Sequence, residues 1–257
     1  MRLKFLGTGA AGGVPLWGCH CPVCSRARFN VNYSRRPNCA VIEAGGTRIL
    51  LDAGVMDLAE RFPSGSLSAI LITHFHADHV QGLFHLRWGM GDIDVYAPHD
   101  TEGCADLYKN HGPLKFNHVS KFETFSVGDI LITPVPLVHS KPTLGFCIEY
   151  KGARLAYLTD TRELPPSTAS FLIKWKPHTI CLDCTYPPGT EGKRNHFDLT
   201  EAIEVSKDYP DSNFVLMHIG HSLDEWLMNH PDALTARILV GRDNESIDCS
   251  EAECPLF

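Results

Sequence analysis

Four apolar runs of this chain each end on an imidazole or a carboxylate, and this recurrence constrains the fold more than any other feature. Ala69-Ile70-Leu71-Ile72 leads into Thr73-His74-Phe75-His76-Ala77-Asp78-His79, and the run over 130–138 ends in His139-Ser140. Arg154-Leu155-Ala156-Tyr157-Leu158-Thr159 ends in Asp160, and Phe214-Val215-Leu216-Met217 ends in His218. Near-continuous apolar runs of this kind are the pattern of buried strands. A single His or Asp after such a strand is an ordinary turn residue. Four strands that all deliver such groups at their carboxyl ends point instead to one shared site in a layered α/β fold.

Further strands are expected over 2–6, 39–44 and 47–53, the last two joined by a Gly45-Gly46 turn, with others over 67–73, 94–97 and 124–127. Helical spacing is seen in Val55, Leu58, Ala59 and Phe62, and a helix is expected to open at Asp78-His79 and continue through Val80, Leu83, Phe84 and Leu86. Helices are also expected over 102–109, 164–175, 199–207 and 223–228. No short-period repeat or charge block divides the 257 residues, so one domain over 1–257 is expected.

The densest chemistry lies at His74 to His79, where three imidazoles and a carboxylate fall within six residues. Such a mixed nitrogen and oxygen donor set suits zinc, manganese or iron. Asp52, at another strand end, is placed to orient a ligand imidazole. The turn Gly7-Thr8-Gly9-Ala10-Ala11-Gly12-Gly13 lacks the Lys-Ser/Thr of a phosphate loop and reads as a place where backbone passes close to other groups. Trp17-Gly18-Cys19-His20-Cys21-Pro22-Val23-Cys24 supplies three thiols in one loop, at about 17–28. A tetrahedral structural zinc site built on them needs a fourth donor from elsewhere. A redox Cys-x-x-Cys normally opens a helix, and Pro22-Val23 signals none.

Composition narrows the partners. The net charge of -7 leaves no electrostatic footprint for a polyanion, so nucleic acid is not expected as a partner. No run approaches the length of a membrane span, and Met1 to Leu6 has no signal-peptide character. Ten cysteines, clustered or set in apparent strands, read as a metal site plus buried thiols. A cytoplasmic protein in a reducing compartment, away from membranes, is expected.

The order His74-x-His76-x-Asp78-His79, His139, Asp160, His218 resembles the metallo-β-lactamase superfamily over essentially the whole chain. That resemblance implies a four-layer αβ/βα sandwich with a metal pair at a sheet edge. It implies one metal held by His74, His76 and His139, a second by Asp78, His79 and His218, and Asp160 bridging. An aspartate at the bridging place is typical of hydrolases with two equivalent metals, which disfavours lactam hydrolysis.

Within the superfamily, the chain is similar to the phosphoribosyl 1,2-cyclic phosphate phosphodiesterases of phosphonate breakdown. The motifs that carry this are Gly7-Thr8-Gly9, the cysteine loop, Asp78-His79-Val80-Gln81-Gly82-Leu83, Leu86-Arg87-Trp88-Gly89, His139-Ser140-Lys141, Arg194-Asn195-His196-x-Asp198-Leu199, and the pair His218 and His221. By this similarity His221 completes a zinc site with Cys19, Cys21 and Cys24. His196 is the group that stabilises or protonates the departing sugar oxygen, and Asp78 accepts a hydrogen bond from the bridging hydroxide while binding its metal. Lys141, Arg194 and His196 are the candidate substrate contacts. The expected cofactors are two divalent ions, manganese favoured with zinc or iron as alternatives, and one structural zinc.

The activity so implied is hydrolysis of a small cyclic phosphodiester, 5-phosphoribosyl 1,2-cyclic phosphate, to ribose 1,5-bisphosphate. Its rivals are an endonuclease that trims transfer RNA 3′ ends, a general cyclic-nucleotide phosphodiesterase, and a metal-binding or cofactor-carrier protein without turnover. A homodimer is an expectation from related proteins.

Overall fold

The structure is a computed structural model that describes residues 1–192 and 195–249. Among these, fourteen strands occur: β1 (Arg2–Gly7), β2 (Cys39–Ala44), β3 (Thr47–Leu51), β4 (Ala69–Leu71), β5 (Ile93–Ala97), β6 (Leu114–His118), β7 (Phe125–Val127), β8 (Ile130–Pro136), β9 (Leu144–Tyr150), β10 (Ala153–Leu158), β11 (Thr179–Asp183), β12 (Asn213–Met217), β13 (Ile238–Val240) and β14 (Ser246–Asp248). The helices are α1 (Pro22–Phe29), α2 (Leu58–Arg61), α3 (Ala77–Val80), α4 (Leu83–Leu86), α5 (Ala105–Lys109), α6 (Pro166–Trp175), α7 (Leu199–Lys207) and α8 (His221–Asn229).

The strands form two seven-stranded sheets of matching design. One runs β14-β1-β2-β3-β4-β5-β6 and the other β13-β12-β11-β10-β9-β8-β7. In each, one half is antiparallel and the other parallel, with the change at β3 in the first sheet and β10 in the second. Leu3, Phe5, Ile42, Ile49, Leu51 and Leu71 of the first sheet pack against Ile132, Phe146, Ile148, Leu155, Tyr157 and Met217 of the second. The outer face of the first sheet is covered by α2 to α5 through Leu58, Val80, Leu83 and Leu107, and that of the second by Leu172, Leu199, Ala202 and Leu223 of α6, α7 and α8. The result is the expected helix, sheet, sheet, helix order, in which both faces of each sheet are buried and the strands are accordingly apolar on both sides.

Two local expectations are corrected. The helix expected from Asp78 through Leu86 is divided into α3 and α4, because the Gly82 N–H donates to the Ala53 carbonyl (2.8 Å) rather than staying in the helical ladder. A Cβ at Gly82 would run into the Val55 carbonyl, so this close approach needs glycine. Pro22-Val23, read as carrying no helix signal, begins α1: proline sits in its first turn and Cys21 caps it, accepting from the Cys24 N–H at 3.4 Å. Proline at that place costs no hydrogen bond, because the first helical N–H groups have no partner within the helix.

The Gly7 to Gly13 turn is packed against the backbone of 35–37, and the amides of Thr8, Gly9, Ala10 and Gly13 are already used. Gly9 N–H donates to the Arg36 carbonyl (2.8 Å) and Ala10 N–H to the Ile219 carbonyl (3.1 Å), while Thr8 N–H is held by Asp243 Oδ1 at 2.9 Å. That leaves this turn a structural clasp beside His218, as its composition implied.

Candidate metal centre

The carboxyl ends of β3, β4, β8, β10, β11 and β12 converge, and each is followed by a group with metal or proton chemistry. The loop after β4 carries His74, His76, Asp78 and His79; the loop after β8 carries His139; Asp160 follows β10 and His218 follows β12. Potential ligand atoms of His74, His76, His139 and Asp160 lie within 4.8 Å of one another, as do those of Asp78, His79, Asp160 and His218. Asp52 (φ 53°) and His218 (φ 58°) hold left-handed backbone that non-glycine residues seldom adopt, a strain that clusters at functional sites.

Hydrogen bonds on the outer side of four rings set the chemistry on the inner side. His74 Nδ1 donates to Thr73 Oγ1 (3.1 Å), whose own proton goes to Asp52, and His79 Nδ1 donates to Asp52 Oδ2 (2.8 Å). His139 Nδ1 donates to the Asn195 carbonyl (3.2 Å), and His218 Nδ1 donates to Thr185 Oγ1 (2.8 Å). An imidazole that donates from Nδ1 presents a lone pair at Nε2, so all four direct bare nitrogens inward. His76 is turned the other way, with Nε2 facing Ser140 Oγ at 3.3 Å and Nδ1 facing inward, 2.9 Å from His74 Nε2 and 3.0 Å from His139 Nε2. Lone pairs brought this close need positive charge between them. His79 Nε2 is buried without a hydrogen-bond partner. These two features fit bound cations.

Asp160 joins the two groups. Its Oδ2 stands 3.8 Å from His74 Nε2 and 3.7 Å from His139 Nε2 on one side, and 3.3 Å from His79 Nε2 and 3.4 Å from His218 Nε2 on the other. Asp78 Oδ2 lies 3.4 Å from His79 Nε2 and 3.5 Å from His218 Nε2. Burial opposes ionisation of both carboxyls, but His218 and His79 outweigh it and hold both well below the usual range. Burial pushes His74 well down and His139 to about 4, keeping both rings neutral as ligands must be. At His79 burial acts the same way, yet Asp160 and Asp52 overcome it and favour positive charge there, a demand that a cation meets as well as a proton does.

His196 lies beside this centre. It stacks on His218 with ring centroids 4.7 Å apart, and its Nδ1 donates to Asp183 Oδ2 at 2.8 Å. Burial would depress its pKa, but the Asp183 carboxylate, aided by Asp160, raises it to about 9. Asp183 was not singled out in the sequence, although Thr179-Ile180-Cys181-Leu182 is one more apolar run ending in an acid. Its carboxylate also accepts from Thr161 N–H (2.8 Å) and Thr185 Oγ1 (3.0 Å), so it fixes His196 and, through Thr185, His218. Asp160, Asp183, His196 and His218 form a further close group. There His196 Nδ1 is already committed to Asp183, which makes it a poor third metal set. Lys141 is near His76 and 3.7 Å from Asp100 Oδ2. Arg194 and the neighbouring Lys193 lie outside the described residues.

The cysteine loop meets α8. Cys19, Cys21, Cys24 and His221 place their ligand atoms within 4.8 Å of one another, with His221 Nδ1 at 3.7 Å from Cys19 Sγ and 3.9 Å from Cys21 Sγ. Three sulfurs and one nitrogen match a closed, tetrahedral zinc site. Burial pushes the Cys24 thiol up to about 12, so metal binding there would displace a proton. Arg35, buried, ties the region together: it donates to Asp224 Oδ1 on α8 (3.0 Å) and to Thr8 Oγ1 (3.0 Å).

Comparison with known proteins agrees with this geometry. A family model described as a beta-lactamase superfamily domain matches residues 47–219. An octanoyltransferase of Porphyromonas gingivalis is 30% identical over 243 residues, which cover 86% of this chain and 46% of that protein. A ribonuclease Z of Methanosarcina mazei is 26% identical over 164 residues, covering 58% of this chain and 48% of the relative. This chain therefore spans about half the length of these relatives. Among solved structures, a diphosphatase from the PhnP family superposes with a TM-score of 0.80 at 25% identity, covering 96% of each chain. No helix among the described residues is long and apolar enough to cross a membrane.

Proposed function

This chain belongs to the beta-lactamase superfamily, and from that premise we propose that it is a dinuclear-metal phosphodiesterase acting on a small cyclic phosphodiester, with 5-phosphoribosyl 1,2-cyclic phosphate as the favoured substrate. The observation that carries the reading is the place of Asp160 Oδ2, within 3.3 to 3.8 Å of four inward nitrogens drawn from both groups. His74, His76 and His139 would hold one ion and Asp78, His79 and His218 the other, with Asp160 shared. Manganese is the favoured pair, with zinc or iron also compatible with these donors. Such a pair, when bound, lowers the pKa of a water molecule and neutralises the nonbridging phosphoryl oxygens.

The chain's own residues supply the rest. Asp78, partly exposed, is placed to accept a hydrogen bond from the attacking water and keep it oriented toward phosphorus. His196, whose pKa Asp183 raises to about 9, has no hydrogen-bond partner at Nε2 among the described residues and would give that proton to the sugar oxygen as the P–O bond breaks. Water adds to phosphorus, the ring opens, and the released oxygen leaves as a hydroxyl. The net charge of -7 accords with a small substrate rather than a nucleic acid.

A second reading is favoured by the diphosphatase among the similar structures, in which the bond cleaved would be a phosphoric anhydride. A third, transfer RNA 3′ processing, draws on the likeness to ribonuclease Z. One metal-loaded preparation assayed against 5-phosphoribosyl 1,2-cyclic phosphate, a cyclic nucleotide, a diphosphate ester and a transfer RNA precursor separates them. Preferred turnover of the cyclic sugar phosphate is expected; preferred cleavage of the anhydride or the RNA would replace this reading.

A further inference from the structure

Asn38 stands directly before β2 and is fully buried. Its Nδ2 donates to Tyr157 Oη at 2.7 Å and to Asp52 Oδ2 at 3.3 Å. The amide nitrogen rather than the carbonyl faces Asp52, because Oδ2 already acts as an acceptor for His79 Nδ1. The Asn38 carbonyl oxygen is thereby left buried with no hydrogen-bond partner. A buried unpaired acceptor lowers stability, and an apolar side chain of similar size would avoid that loss. What only the amide supplies is a fork with one hydrogen for each of two groups, and those two groups belong to different sheets.

The sheets contribute different halves of the metal centre. His74, His76, Asp78 and His79 follow β4 of the first, whereas His139, Asp160 and His218 follow β8, β10 and β12 of the second. Tyr157 lies on β10, three residues before Asp160, and its ring is fully buried in the core between the sheets. Asp52 follows β3 of the first sheet and has Oδ1 fixed by the Thr73 N–H at 2.8 Å. The Thr73 hydroxyl has a single proton and stands 2.9 Å from Oδ1 and 3.0 Å from Oδ2, so it can serve either oxygen. Asn38 is therefore the donor that fixes Oδ2, the oxygen that orients His79.

We propose that Asn38 and Tyr157 are positioning residues that latch the two sheets together at the metal centre. Tyr157 holds the Asn38 amide, the amide holds Asp52 Oδ2, and Asp52 holds His79 in register with Asp160 at the end of the Tyr157 strand. His79 Nε2 and Asp160 Oδ2, 3.3 Å apart, come one from each sheet, so their separation follows the spacing that the latch sets. Its effect falls on the ion of Asp78, His79 and His218 more than on that of His74, His76 and His139, since His74 is reached only through the Thr73 hydroxyl. This inference rests on the two-metal reading of the centre and is independent of the substrate.

The test is stepwise manganese binding to the full chain with zinc in its cysteine loop, read by competition with a chromophoric chelator. It compares wild type, Tyr157→Phe, Asn38→Leu and the double variant, and thermal unfolding of each is recorded without the active-site ions. Tyr157→Phe keeps the ring and removes only the hydroxyl, so it decides the matter if Asn38→Leu does not fold. One of the two stepwise affinities should fall by about three- to tenfold in each single variant, and the other should stay within about twofold. The double variant should lose no more affinity than Asn38→Leu, because the two residues act in series. It should also unfold near the wild-type temperature, since both partners of the buried pair have been removed together. Residues that only support packing would lower the unfolding temperature and leave both affinities in place; that result, or an equal fall in both affinities, would overturn the latch. Wild type that takes up fewer than two ions at the centre would overturn the two-metal reading and the latch with it. Two bound ions with unchanged affinities in the variants would overturn the latch alone.

Discussion

His196 and Asp183 are joined by a 2.8 Å hydrogen bond from Nδ1 to Oδ2, at a distance in sequence that no local pattern links. The carboxylate is fully buried; it also accepts from Thr161 N–H and Thr185 Oγ1, and His218 Nδ1 stands 4.0 Å from its Oδ1.

Replacing Asp183 by Asn should move the pH dependence of turnover in a stated direction. His196 is raised to about 9, so it keeps its proton through neutral pH and loses it as pH rises through that value. Without the carboxylate the same loss occurs at lower pH, and the alkaline limb of kcat/KM should shift toward acid by about 1–3 units. A limb that stays in place would remove His196 as the proton donor. The loss should also be larger for an alkyl leaving group than for p-nitrophenolate, which departs without help from an acid.

Asp52 is tested through metal affinity. It is fully buried and anchors His79 directly and His74 through Thr73. Asp52→Asn should lower affinity for the active-site ions by about 10–100-fold, read by competition with a chromophoric chelator. Unchanged affinity would mean that the rings are oriented without it.

Much of this centre was legible because its donors follow apolar strands: His74, His139, Asp160 and His218 needed only the rule that such strands end at a common edge. Asp183 obeys the same rule and was missed, because an acid after a strand becomes meaningful only when a distant loop brings His196 against it. Thr185 was beyond reach for the same reason, since its value lies in relaying Asp183 to His218. The strands β6, β11, β13 and β14 were also not picked out, and they pair across longer crossovers or along short edges; β9 was missed although it pairs locally with β10 through the 150–153 hairpin. The start of α1 ran against expectation because Pro22-Val23 carries no evident helix signal, yet the first turn is the one place in a helix that favours proline.

The cysteine loop predicts a local failure. α1 is held by a small cluster of Val14, Val23 and Ala27 with Met228 of α8, too little apolar burial to fix a loop unaided. Cys24→Ser should lose one equivalent of zinc by elemental analysis and open the 17–30 region to limited proteolysis, with the His and Asp groups still loading metal. Full protection after zinc loss would show that the Arg35–Asp224 pair suffices to hold it.

The most direct measurement is stepwise metal reconstitution. Protein stripped of its active-site ions is titrated with manganese while hydrolysis of 5-phosphoribosyl 1,2-cyclic phosphate is followed, in wild type and in Asp160→Ala. The expected result is turnover that rises as the second equivalent binds, yields ribose 1,5-bisphosphate, and is lost by more than about 100-fold in Asp160→Ala although that protein remains folded. Turnover that survives metal removal, or two bound equivalents with no phosphodiester hydrolysed, would contradict it.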